Sequence, residues 1–309
     1  MTYRQPAWTR AWADLPPVAG AAVMATGIIS IALELSGHHG LSVAALALAG
    51  ALWLVLAADF GRLLVRDLAR FEAEADTPPA LTAVAATTVL GARLSVFGWG
   101  RVAAVLLVLA VLLWPVLLTA VLRHWQRRMP GAAFLVCVAT QGIAVLAATL
   151  AAAGHRPWLD RVALAFFLLG LLLYVEALVR FDRRQLLSGA GDQWVAGGAL
   201  AISALAGAKL TASQVWGGEA LRTTTLVLLG FALAWYAVLL GAELARPRPH
   251  YDVRRWATVF PLGMTSAACL TVADATGVGW LRPLGEVLLW VAVAGWGLAV
   301  AGAAVSRAS

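Results

Sequence analysis

The chain has 309 residues, 61% of them hydrophobic and only 13% charged, with a mean hydropathy of +0.83. Soluble domains average about 25% charged residues, so these figures exclude an ordinary soluble globular fold and indicate an integral membrane protein. The net charge of +7 would suit nucleic acid in a soluble chain; here the placement of the basic residues speaks first to membrane orientation.

Residues 1–15 carry Trp8 and Trp12 among Arg4 and Arg10. They lack the separate apolar stretch and cleavage site of a removable signal peptide, so they read as a cytoplasmic interfacial segment. Ten apolar runs follow, over 16–35, 41–60, 80–97, 102–122, 131–153, 162–179, 194–212, 223–245, 256–274 and 284–305. A helix needs about 20 apolar residues to cross hydrocarbon, and no run alternates like a barrel strand. The alternate runs, first to ninth, begin at roughly 60-residue intervals, which predicts five helical hairpins. The expected fold is all-α, with ten transmembrane helices in one domain over 16–305 and a short cytoplasmic tail, 306–309. The stretch 62–79 reads as a solvated connector.

Of 23 basic residues, 16 fall in the segments that include both termini, five in the opposite turns, and two, Arg93 and Lys209, inside runs. This asymmetry predicts cytoplasmic N- and C-termini. Even-numbered runs are built of Leu, Val, Ala and Trp, which suits helices facing lipid. Odd-numbered runs carry small and hydroxyl residues through their middles. Helix packing explains any one of these equally well; their concentration in alternate runs favours an inner ring of odd helices around a pathway. The candidate pore-lining residues are Thr26, Ser30, Thr87, Thr88, Thr140, Gln141, Ser203, Thr258 and Thr265.

The ninth run departs furthest from plain lipid-facing sequence. Pro261 removes a helical hydrogen bond and crowds the carbonyl of Ala257, a break that a helix surrounded by hydrocarbon gains nothing from. Arg93 and Lys209 are candidates for attracting anions at an outer vestibule, with Glu34 and Asp274 placed to pair with them; snorkelling to the interface is the plainer alternative. No acid lies in the middle of an odd run, which favours a channel or uniporter over a proton-coupled carrier. The five histidines are scattered without metal-ligand spacing, and no P-loop or nucleophile elbow occurs, so neither a metal, a cofactor nor an enzyme is expected. Cys137 and Cys269 read as small packing residues.

The segments VMATGIISIALEL, TTVLGARLS, VATQGIAVLAA, WVAGGALAISALAGA and HYDVRRWATVFPLGMTSAACLTVA resemble the five odd helices of the tellurite-resistance/dicarboxylate transporter family. That family includes the bacterial tellurite-resistance protein, fungal malate and sulfite transporters and plant slow anion channels. The resemblance spans most of the chain. It implies five hairpins around a central pore, a homotrimer with one pore per subunit, an anionic substrate and an aromatic gate in the ninth helix. On the residues alone Phe260 reads as a packing aromatic; the resemblance gives it, with Pro261, the role of gate. Thr265 and Ser266 stand where relatives often carry bulkier side chains. The expected function is an anion channel or facilitative anion transporter of the plasma (inner) membrane, its cargo a C4-dicarboxylate, sulfite, tellurite or a small inorganic anion. The alternatives are a proton-coupled dicarboxylate symporter and, in another class, an intramembrane enzyme.

Overall fold

A computed structural model describes residues 19–154, 156–248 and 251–308. The long helices are α1 (Gly20–Leu35), α2 (His39–Arg66), α3 (Thr82–Val96), α4 (Gly100–Arg123), α5 (Leu135–Gly154), α6 (Pro157–Arg180), α7 (Val195–Thr211), α8 (Glu219–Ala245), α9 (Trp256–Thr276) and α10 (Leu281–Ala308). Among the described residues, nine helical spans are long and apolar enough to cross a membrane, and α1 adds a shorter apolar helix of 16 residues. The expected interfacial segment 1–15 lies outside the described residues. The boundary expected at 305 is not a helix end, since α10 runs on through Ala308.

The connector expected over 62–79 is largely helical. α2 continues to Arg66, and Asp67 then opens a second helix, Leu68–Ala75, its carboxylate accepting from the Arg70 N–H at 3.1 Å. The hairpin turns repeat one device. Gly37 and Gly98 take φ of 82° and 97°, values open to glycine at no steric cost. The next residue in each case donates back five positions, His38 to Leu33 and Trp99 to Leu94, closing the preceding helix.

The odd helices are inside and the even helices outside. In the spans of α3, α5, α7 and α9, 83–100% of the apolar window is buried, against 17–33% for the five even helices. α1 belongs with the first group, with 12 of its 16 residues buried. Even helices instead expose residues such as Val105, Leu172, Leu244 and Leu298, which cost nothing against lipid tails. α1 packs on α3, α3 on α5, α5 on α7, α7 on α9 and α9 back on α1, so the inner helices form a closed ring. Each even helix packs on the odd helix before it.

Lipid supplies no hydrophobic drive between helices, so close packing and hydrogen bonds must hold this arrangement. A Cβ on Gly142 would lie 2.2 Å from Thr88 Oγ1, and one on Gly198 would lie 2.8 Å from Pro261 Cγ, so α3–α5 and α7–α9 approach to glycine distance. Three indoles tie outer helices to the following inner ones. Trp53, Trp114 and Trp296 donate through Nε1 to the hydroxyls of Thr87, Thr140 and Thr26 at 2.9, 2.8 and 3.0 Å. Each threonine passes its own proton to the carbonyl four residues back.

Replacing Trp53, Trp114 or Trp296 by Phe should each cost about 0.6 kcal/mol, the average for such bonds in membranes. The three sites lie on different helix pairs, so the triple variant should lose about 2 kcal/mol. Denaturant-induced unfolding in micelles, followed by circular dichroism, measures this; an unchanged triple variant would remove these bonds from the account.

Candidate functional site

Two cavities lie on the axis of the inner ring. One, of about 60 Å3, sits at the C-terminal ends of the odd helices, and the other, of about 20 Å3, at their N-terminal ends. The first is lined by Ile28 and Leu35, Val89 and Val96, Gly142 and Thr149, Ile202 and Lys209, and Met264 and Thr271. The second is lined by Ala21, Thr82, Leu135, Val195 and Ala257, one from each odd helix or its first turn. The spacing is the same in all five: 21, 28, 35; 82, 89, 96; 135, 142, 149; 195, 202, 209; and 257, 264, 271. Seven residues turn a helix by about 700°, within about 20° of two full turns. Each inner helix therefore presents one nearly straight stripe to the axis, and the stripes superpose the five hairpins.

Between the cavities lies an apolar septum. Met24 and Phe260 line the N-terminal cavity, while Ile28 and Met264, each four residues further on, line the other. Four residues rise about 6 Å, so one turn of packed side chains separates the two spaces. Phe260, Met24, Ile28 and Met264 are each 1% exposed. Phe260 stands three residues after its stripe begins; the corresponding residues are Met24, Ala85, Val138 and Gly198. One aromatic ring and one methionine thus share this register with three smaller residues. Pro261 follows, packed on Gly198, and its carbonyl accepts from Thr265 Oγ1 at 2.9 Å.

The hydroxyls expected along the pathway are placed elsewhere. Thr26, Thr87 and Thr140 stand five residues past the start of their stripes, about 140° round the helix, and take the indole bonds from the outer helices. Ser30 is engaged with Ser42 of α2, each hydroxyl donating to the other's carbonyl at 2.7 Å. Gln141 donates to Phe167 of α6 at 3.0 Å, Thr88 to Ala85 at 2.9 Å, Ser203 to Ala199 at 2.7 Å and Thr258 to Gly191 at 3.2 Å. None of these nine expected residues, Thr265 included, lines either cavity.

The intramembrane charges do gather on the axis. Glu34, Arg93 and Lys209 all line the larger cavity. Arg93 is 2% exposed; its Nη2 binds Glu34 Oε2 at 2.7 Å, and Nε and Nη2 also reach Ser42 Oγ at 3.1 and 2.9 Å. Its Nη1 is buried with no acceptor among the described residues. Lys209 makes no hydrogen bond among the described residues, and Asp274, its expected partner, binds Arg282 at 2.7 Å. The odd helices run parallel, so their partial negative ends surround this cavity and their partial positive ends surround the other. Arg93 and Lys209 sit in the last turns of α3 and α7, where they offset the negative ends.

The sequence reading missed Thr149 and Thr271, which line the larger cavity, and Asp192, which lines the smaller one and accepts from the Ala132 N–H at 3.1 Å. The seven-residue stripe is the signal that finds the first two; Asp192 lies before its stripe and has no such mark. Among the described residues, no group of three or more His, Cys, Asp or Glu is placed to hold a metal ion.

No curated protein matches the chain. The profile of the voltage-dependent anion channel family matches residues 14–304, which takes in all ten helices. The chain is therefore a multi-pass membrane protein that belongs to the voltage-dependent anion channel family.

Proposed function

We propose that this protein is a passive channel for small inorganic anions, that its pathway follows the five axial stripes, and that Phe260 closes it. The observation that carries this reading is the pair of axial cavities, lined by all five odd helices and separated by one apolar turn at Phe260 and Met264. A space of about 10–15 Å3 on this measure holds one water, so the larger cavity, at about 60 Å3, has room for roughly four. That volume suits a small inorganic anion better than a C4-dicarboxylate. Its walls are mostly apolar, and Lys209 with the unpaired Nη1 of Arg93 offers N–H groups to an anion without a tight binding cage. Conduction needs that balance, since an ion held too firmly does not leave.

Phe260 acts by bulk and by keeping water out of the septum, which is how hydrophobic constrictions gate. The other inner helices carry smaller residues, Ala85, Val138 and Gly198, at the register of Phe260, and Pro261 removes a helical hydrogen bond beside it. The excess of basic residues in the segments that include both termini supports cytoplasmic termini in a plasma-membrane protein. The smaller cavity then faces inward, with the five helix N-termini presented to an anion arriving from that side. The homotrimer belongs to the same reading: each chain closes its own ring, so each copy carries its own pathway.

Phe260→Ala should raise chloride or nitrate flux into proteoliposomes by about tenfold or more, since it removes the apolar obstruction. A variant no faster than the native protein would place the barrier elsewhere, and uptake driven only by a pH gradient would favour a proton-coupled carrier. Lys209→Gln should lower the anion-over-cation permeability ratio by about threefold at low salt, with the difference fading as ionic strength rises. Reversal potentials in planar bilayers decide this; equal values would make Lys209 a purely interfacial residue.

A further inference from the structure

Arg93 is the more deeply buried of the two cations on the larger cavity, yet it is also the more compensated. Its partner Glu34 is a short bridge to the protein surface. One carboxylate oxygen binds Arg93 Nη2 at 2.7 Å, and the other meets His39 Nδ1 at 3.0 Å. The Glu34 side chain is 25% exposed and His39 72% exposed. Ser30 and Ser42, locked to each other across α1 and α2, fix Arg93 so that it cannot swing away from Glu34. The cavity is therefore lined by Lys209 and by an Arg93–Glu34 pair whose charges offset each other.

We propose that Glu34 is the residue that sets anion selectivity, by masking the charge of Arg93, and that protonation of His39 relieves the mask. This rests on the proposed anion pathway and adds its control. Histidine is the side chain whose charge ordinarily changes between about pH 5 and 8. A protonated His39 places a second cation on the Glu34 carboxylate, so that carboxylate offsets less of the Arg93 charge at the cavity. The sign follows directly: acidifying this side strengthens anion attraction, and alkaline conditions weaken it. The other charged and titratable groups at this end leave the sign unchanged. His38 is turned to Ser36 at 3.0 Å and to the edge of Trp290, Asp274 of α9 is paired with Arg282, Lys209 makes no hydrogen bond among the described residues, and Glu286 of α10 is exposed.

The test uses Glu34→Gln, which keeps the length of the side chain and an oxygen for Arg93, and His39→Gln. Reversal potentials are taken in chloride gradients at pH 7.5 and 5.5. The native protein should gain anion-over-cation selectivity on acidification by about threefold. His39→Gln should match native behaviour at pH 7.5 and lose that gain. Glu34→Gln should sit in the high-selectivity state at both pH values. A conducting Glu34→Gln variant with native selectivity and a native pH response would overturn the proposal. A second readout does not need conduction: nitrate should raise the melting temperature of Glu34→Gln more than that of the native protein, because a ligand stabilises in proportion to its affinity. Greater stabilisation without any native flux would sustain the role of Glu34 and refute the channel; equal stabilisation with native flux intact would do the reverse.

Discussion

A straight α-helix returns to almost the same face after seven residues, lagging two full turns by about 20°. That small lag is the constraint on which this architecture rests. Five parallel inner helices each place positions seven apart on a common axis, and the same registers recur in every hairpin, from Ala21–Ile28–Leu35 to Ala257–Met264–Thr271. Whatever stands on those stripes meets in the middle, and whatever stands about 140° away meets the outer helices. The hydroxyl-rich face and the axial face are thus different faces of the same helices. Thr26, Thr87 and Thr140 secure the outer ring through Trp296, Trp53 and Trp114, and the axis is left to residues that are mostly apolar.

This division of labour has a physical logic. A hydroxyl that satisfies itself on its own helix, and accepts an indole from the next, spends its polarity where lipid offers none. An axis lined by methyl groups stays dry when narrow, so the same packing that closes the ring also makes the barrier. One turn of packed side chains, with Met24 and Phe260 on one side and Ile28 and Met264 on the other, separates the two axial cavities. Charge is kept to the ends. Arg93 and Lys209 offset the negative ends of five parallel helices at one cavity, and the N-terminal ends carry the field at the other.

Much of the fold was legible in the sequence. The ten apolar runs, the rhythm of the hairpins and the contrast between odd and even runs follow from hydropathy and composition, which lipid exposure controls directly. The charged residues were also legible, because an intramembrane arginine is rare enough to need an interior. The lining residues were not. Thr87 and Thr140 were expected on the pathway for their polarity; they line neither axial cavity and accept the indoles of Trp53 and Trp114. Phase cannot be judged from one helix; it emerges when five helices are aligned, and Val89, Gly142, Ile202 and Met264 then fall into register with Ile28. Asp274 shows a second limit. Its expected partner is Lys209, yet it binds Arg282, a residue beyond the turn whose reach no spacing rule supplies.

The most direct test of the axial stripe is accessibility of introduced cysteines to an anionic thiol reagent, in a background with Cys137 and Cys269 replaced by alanine. Cysteines at Val89, Thr149 and Ile202, which lie on the stripe and line the larger cavity, should be modified and should reduce anion flux. Cysteines at Thr87 and Thr140, bonded to the outer tryptophans, should stay unmodified in the folded protein. Reaction at Thr87 and Thr140 with protection at Val89, Thr149 and Ile202 would contradict the account, because it would put the hydroxyl face, and not the seven-residue stripe, on the path of the anion.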